Sequence, residues 1–177
     1  MTAPDNSRAA RSRRLLIAFS FLVVVLTLVG ALSFVQYARR HKPNPLVAAV
    51  APFDIFVPGL EPWRVRLAEG LTAQLDSMPP LAAVSQAVVR ERWRGQSRPE
   101  IAALDLARRT SAGLAIYGRL DPLADSNDSI RVQMIVIDAG TGQVLISVDR
   151  RWATAQLGGL SRTLAEQVRQ NYRYPSD

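Results

Sequence analysis

The chain has 177 residues, no cysteine and a formal net charge of +7. Without cysteine, disulfides, thiolate nucleophiles and cysteine-bound zinc are excluded. The basic excess lies before residue 44, where seven Arg and Lys face only Asp5, while the rest holds fifteen Arg against fourteen acidic residues, so no basic face for nucleic acid is expected on the folded part.

Residues 1–14 form a basic tail. Residues 15–37, LLIAFSFLVVVLTLVGALSFVQY, carry no formal charge. At about 1.5 Å per residue this run measures about 34 Å, enough to cross a hydrocarbon core of ~30 Å. It is predicted as a single N-terminal transmembrane helix, with Arg13, Arg14, Tyr37, Arg39 and Arg40 as membrane-interface anchors. A cleaved signal peptide is the competing reading, with Val29-Gly30-Ala31 as its cleavage site. The apolar run continues past Ala31, which favours an uncleaved signal-anchor. Four Arg before the run and two Arg with Lys42 after it favour a cytoplasmic N-terminus and a periplasmic C-terminal domain. The expected location is thus the bacterial inner membrane, single-pass, with the lipid bilayer as one partner. Residues 38–45 are a juxtamembrane linker in which Pro43 and Pro45 stop helix propagation.

The folded domain is expected over 46–174, leaving 175–177 as a tail. LVAAVA at 46–51 reads as a strand buried on both faces, followed by the loop PFDIFVPG. Residues 61–78 are predicted helical, with Trp63, Leu67, Leu71 and Leu75 recurring every four positions. Gly70 inside that helix weakens it, and close packing is the expected reason for its presence. Pro79-Pro80 ends it. Residues 81–85 form a short second strand, and 87–93 suit one helical turn. Ser97-Arg98-Pro99-Glu100 has capping-box spacing and opens a helix to about Ser111, with Ile101, Leu104 and Ala107 inward and Gly113 as its stop.

Three strands follow, over 114–120, 130–137 and 144–151. Their expected inward residues are Leu114, Ile116 and Leu120; Ile130, Val132, Met134 and Val136; and Val144, Ile146 and Val148. The connections DPLADSND and DAGTG are rich in turn formers and mark hairpins. A last amphipathic helix covers 157–172, with Leu160, Leu164 and Val168 inward. The expected fold class is α/β (α+β): a transmembrane helix, then a mixed five-stranded sheet with about three helices in the order β-α-β-α-β-β-β-α.

Four segments in order, AAVAPF (48–53), LAEGLTAQL (67–75), ALDLARRTSAGLAIYGRL (103–120) and RVQMIVIDAGTGQVL (131–145), resemble the TolB-like N-terminal domain, also found in FlgO-like proteins and in periplasmic parts of CadC-like regulators. The resemblance implies a mixed α/β domain that works by protein contact and has no catalytic residues to carry over. Two positions depart from the pattern. The loop after Phe53 is apolar (Ile55, Phe56, Val57) where the family is polar, and Ile146 stands where the family commonly has Trp.

The single histidine, His41, and the single lysine, Lys42, lie outside the expected domain, so no Ser–His pair is available there and no enzyme is expected. Asp121, Asp125 and Asp128 lack the register of a calcium loop and read as a solvated turn; Gly140-Thr141-Gly142 lacks the lysine of a phosphate loop. Arg90, Arg92 and Arg94 around Trp93 can meet lipid headgroups or an acidic partner, but a solvated face explains them better. No catalytic residue, cofactor or metal is expected. Ile55, Phe56 and Val57 are the candidate partner contact, since an apolar loop either tucks into the core or meets another protein. The expected function is a membrane-anchored, non-enzymatic interaction or sensory module of the cell envelope, with a protein partner. The alternative is a small-ligand-binding domain signalling to a membrane partner. Oligomeric state is left open.

Overall fold

The computed structural model describes residues 43–95 and 98–172. The elements are β1 (Asn44–Val50), β2 (Asp54–Ile55), α1 (Trp63–Asp76), β3 (Ala82–Ala83), α2 (Gln86–Arg92), α3 (Pro99–Thr110), β4 (Ala112–Leu123), β5 (Ser126–Asp138), β6 (Val144–Ala153), a 3-10 turn (Thr154–Gln156) and α4 (Leu157–Asn171).

The expected architecture is corrected to an α+β domain, and no helix among the described residues is long and apolar enough to cross a membrane. The longest, α4, has 15 residues. That gives about 22 Å, short of a ~30 Å hydrocarbon core. The span expected over 15–37 and its anchors Arg13, Arg14, Tyr37, Arg39 and Arg40 lie outside the described residues. The structure therefore lends no support to a signal-anchor, to the bilayer as partner or to a single-pass inner-membrane placement.

The sheet has six strands where five were expected, in the order β3-β1-β4-β5-β6, with β2 also beside β4. β1 runs parallel to β3 and β4, while β4, β5 and β6 pair antiparallel as hairpins. The β4–β5 connection is tighter than the loop predicted, because Leu123 still pairs with Ser126.

Strand alternation divides the core between the two faces. On one face Ala48, Val50, Leu114, Ile116, Leu120, Val132, Met134 and Val136 meet α1 through Leu67, Leu71 and Leu75, and α4 through Leu160, Leu164 and Val168. A Cβ on Gly70 would lie 2.8 Å from Ser161 Oγ, so this glycine lets α1 and α4 approach closely, as its position suggested. On the other face Ala49, Ala51, Ala115 and Tyr117 pack against Val89 of α2 and Ala103, Leu106 and Ala107 of α3.

Three local expectations are corrected. α3 buries Ala102, Ala103, Leu106 and Ala107, while Ile101 is exposed. Alanines on helix and sheet allow closer approach than Ile101 would permit. Gly113 does not stop α3; Ser111 does, in the left-handed region at φ 56°. Gly113 lies in β4, where a Cβ would sit 2.4 Å from the Asn44 carbonyl oxygen and 2.5 Å from Pro45 Cα. Val144 is 57% exposed rather than inward. The pairing of β5 with β6 skips Leu145, and this bulge turns Val144 off the core face. The capping-box Ser97 lies outside the described residues, and Arg98 occupies the N-cap position of α3.

Candidate functional site

After β1 the chain bends but keeps strand alternation, and this sorts its side chains. The Ala51 amide donates to the Ile116 carbonyl at 2.8 Å. Phe53 is fully buried beneath Gly118, whose missing Cβ leaves room for the ring. Asp54 and Ile55 pair in parallel with Arg119 and Leu120, and the Phe56 amide donates to the Leu120 carbonyl at 2.9 Å. The period of two sends Phe53, Ile55 and Val57 inward and Phe56 outward. Ile55 and Val57 are half-buried against the main core, whereas Phe56 is 58% exposed. Of the three predicted contact residues, the structure therefore presents Phe56 and uses the other two as its footing.

The next four residues hold that presentation in place. The Leu60 amide donates to the Val57 carbonyl at 3.2 Å, with Pro58 and Gly59 between them and Gly59 at φ +82°. Proline pre-sets the second position of such a type II turn, and glycine takes the positive φ of the third. The Gly59 amide also donates to Glu61 Oε1, and the Trp63 amide to the Leu60 carbonyl, which leads directly into α1. Arg64 lies 3.8 Å from Asp54 across the base of the loop, an exposed pair that adds little stability.

α2 and α3 cover the second sheet face over β1 and part of β4, leaving an open area on β4–β6. Its side chains pair across strands. Arg131 Nε donates to Asp149 Oδ1 at 2.8 Å, Gln133 Nε2 donates to Asp149 Oδ2 at 2.8 Å, and Arg151 donates to Asp125 at 3.0 Å. Arg131 and Gln133 together hold the Asp149 carboxyl down at about 2. At the border with α3, a cleft of about 90 Å³ is lined by Pro99, Glu100, Tyr117, Arg119, Gln133 and Ile135. Burial pushes the Tyr117 phenol well above its ordinary value, and the nearby Glu100 carboxylate adds to the rise. A second, open cleft of about 200 Å³ lies between Pro43, Pro45, Gly113, Asp138 and Gly140.

Several of the remaining sequence candidates have structural roles. Arg90 pairs with Glu69 at 2.9 Å, Arg92 donates to the Arg109 carbonyl at the end of α3, and Trp93 packs on the α3 core. Asp138 Oδ1 accepts from the Gly140 and Thr141 amides at 2.8 and 2.7 Å, building the β5–β6 turn. Among the described residues no group of three or more His, Cys, Asp or Glu is placed to hold a metal ion.

These features define a class: an α+β domain with one mixed sheet and no catalytic machinery among its described residues. No protein-family model matches the chain, and no curated protein matches it. Solved structures do share its fold. TolB from Acinetobacter baumannii matches at 12% identity and a TM-score of 0.50, over 74% of this chain and 29% of TolB. Lipoprotein GNA1162 from Neisseria meningitidis matches at 14% identity and a TM-score of 0.50, over 73% of this chain and 100% of that one. The LpoB C-terminal domain from Salmonella enterica matches at 14% identity and 0.48, over 68% of this chain and 93% of that one. This chain thus spans less than a third of TolB. TolB and GNA1162 match equally well by TM-score, so the shared fold does not single out TolB.

Proposed function

We propose that this chain is a non-enzymatic protein-interaction domain of the bacterial cell envelope, of the TolB N-terminal type, whose contact surface centres on Phe56. The observation that carries the reading is a large aromatic side chain, 58% exposed, on backbone bonded to β4 on one side and to the start of α1 on the other. Ordering such a loop costs little on binding, and aromatic side chains, Phe among them, are enriched at protein interfaces. The order of the four family-like segments supports the TolB type, and the domain limits 46–174 belong to the same proposal. The shared fold with the GNA1162 lipoprotein supports an envelope setting. The ligand-binding alternative is less favoured, because these two clefts among the described residues, about 90 and 200 Å³, are smaller than the roughly 300–1,000 Å³ that small-molecule sites enclose.

Photo-crosslinking tests the reading. A benzophenone side chain at position 56 should give a discrete protein adduct in cells, whereas the same group at exposed Ala155 should not. Equal adduct patterns at both positions, or none at 56 with a small molecule copurifying instead, would reverse it.

A further inference from the structure

Glu100 stands in the first turn of α3, where the helix N-terminus favours its charged form. Its carboxylate lines the cleft of about 90 Å³ beside Tyr117, itself 8% exposed. Ion pairs among the described residues match Asp54, Glu69, Asp105, Asp121, Asp125 and Asp149 with arginines. Glu100 joins none of these pairs; the neutral phenol of Tyr117 stands beside it in the cleft lining. The one cation lining the cleft, Arg119, has its Nε 2.9 Å from Asp121 Oδ2 and is already matched. One negative charge is therefore left over at the mouth of the cleft. Below it, Ile135 and Pro99 form an apolar wall. Gln133 donates its amide nitrogen to Asp149, which leaves its amide oxygen as a second acceptor.

A carboxylate and an amide oxygen above an apolar wall suit a side chain with an apolar stem and several donors. The cleft has room for one such side chain and no larger molecule. Arginine fits better than lysine, since its planar fork offers donors to both acceptors at once. We propose that this cleft receives an arginine side chain of a partner protein, with Glu100 as its counter-charge and Tyr117 beside the carboxylate in the cleft lining. The proposal rests on the reading of a protein-binding domain but uses a surface other than Phe56.

The test is a ¹⁵N NMR titration of the full-length protein with N-acetyl-arginine amide, the lysine analogue and neutral citrulline. Arginine should give saturable shifts at Glu100, Tyr117 and Ile135 in the millimolar range, lysine weaker ones and citrulline none. Glu100→Gln should weaken arginine at least tenfold. Tyr117→Phe should weaken it less, with the rest of the spectrum unchanged. Phe56→Ala should leave it intact, so failure of this site is distinguishable from failure of the Phe56 surface. Absence of saturation, citrulline or lysine matching arginine, or an unaffected Glu100→Gln variant would overturn the assignment.

Discussion

Gly118→Ala should unfold the link between the sheet and the Phe56 loop. A Cβ at this position would lie 2.4 Å from Phe53 Cε1, 2.9 Å from its Cδ1 and 2.7 Å from the Gln133 carbonyl oxygen. Ordinary carbon contacts are about 3.5–4 Å, so the ring would have to move by more than about 1 Å. It has no free direction, because Phe53 is fully buried. The carbonyl cannot yield either, since Gln133 belongs to the β4–β5 ladder. Overpacking in a core costs typically about 1–3 kcal/mol, and two blocked directions place this case at about 3 kcal/mol or above. Urea unfolding followed by circular dichroism should show the midpoint falling at constant slope, with Tm lower by about 10 °C. Amide shifts of residues 54–57 should move too, because Phe53 immediately precedes β2. Adding Phe53→Leu should restore part of the loss by removing the ring contacts. A Gly118→Ala protein within about 0.5 kcal/mol of the parent, or strict additivity with Phe53→Leu, would refute the reasoning.

Gly113→Ala should be at least as damaging, since the added Cβ meets β1 backbone at Asn44 and Pro45 rather than a side chain; a yield of folded protein equal to the parent's would contradict it. Phe56→Ala should change stability by no more than about 0.5 kcal/mol while weakening capture of the crosslinked partner by the purified protein, whereas Phe53→Ala should cost about 3–5 kcal/mol; equal losses on denaturation would show that Phe56 serves the core. Asp149, held at about 2, contributes stability that is complete above the ordinary carboxylate pKa of 3.8 and is lost as pH falls toward 2. The effect should be small because the pair with Arg131 is exposed, and Asp149→Asn should flatten it. An NMR titration of the Asp149 carboxyl with its midpoint at the ordinary value would exclude this account.

Much of the fold is legible from periodicity. Leu67, Leu71 and Leu75 recur at helical spacing and are buried on α1, and Ile130, Val132, Met134 and Val136 alternate and are buried on β5. The same holds for Leu160, Leu164 and Val168 on α4. These patterns survive because they record which side of a regular element avoids water, and that follows from spacing alone. Pairing short apolar runs with turn signals likewise anticipates parallel strands first and hairpins last.

What spacing could not supply is which neighbour each surface meets. Ile101 is more apolar than Ala102 or Ala103, yet it faces solvent, because only small residues let α3 lie close to Ala49, Ala51 and Ala115. Gly113 looks like a helix stop until the Asn44 backbone is found against it, and Val144 looks like a core residue until the bulge at Leu145 turns it away. Ile55, Phe56 and Val57 read alike in the chain; pairing with Arg119 and Leu120 separates them by half a strand repeat. The cleft joins residues from α3, β4 and β5, so its unmatched carboxylate has no signature in any one segment. Hydrophobic pattern is local, because it depends on each element's own repeat. Close approach, register and charge matching depend on surfaces that are distant along the chain and acquire neighbours only when the elements pack.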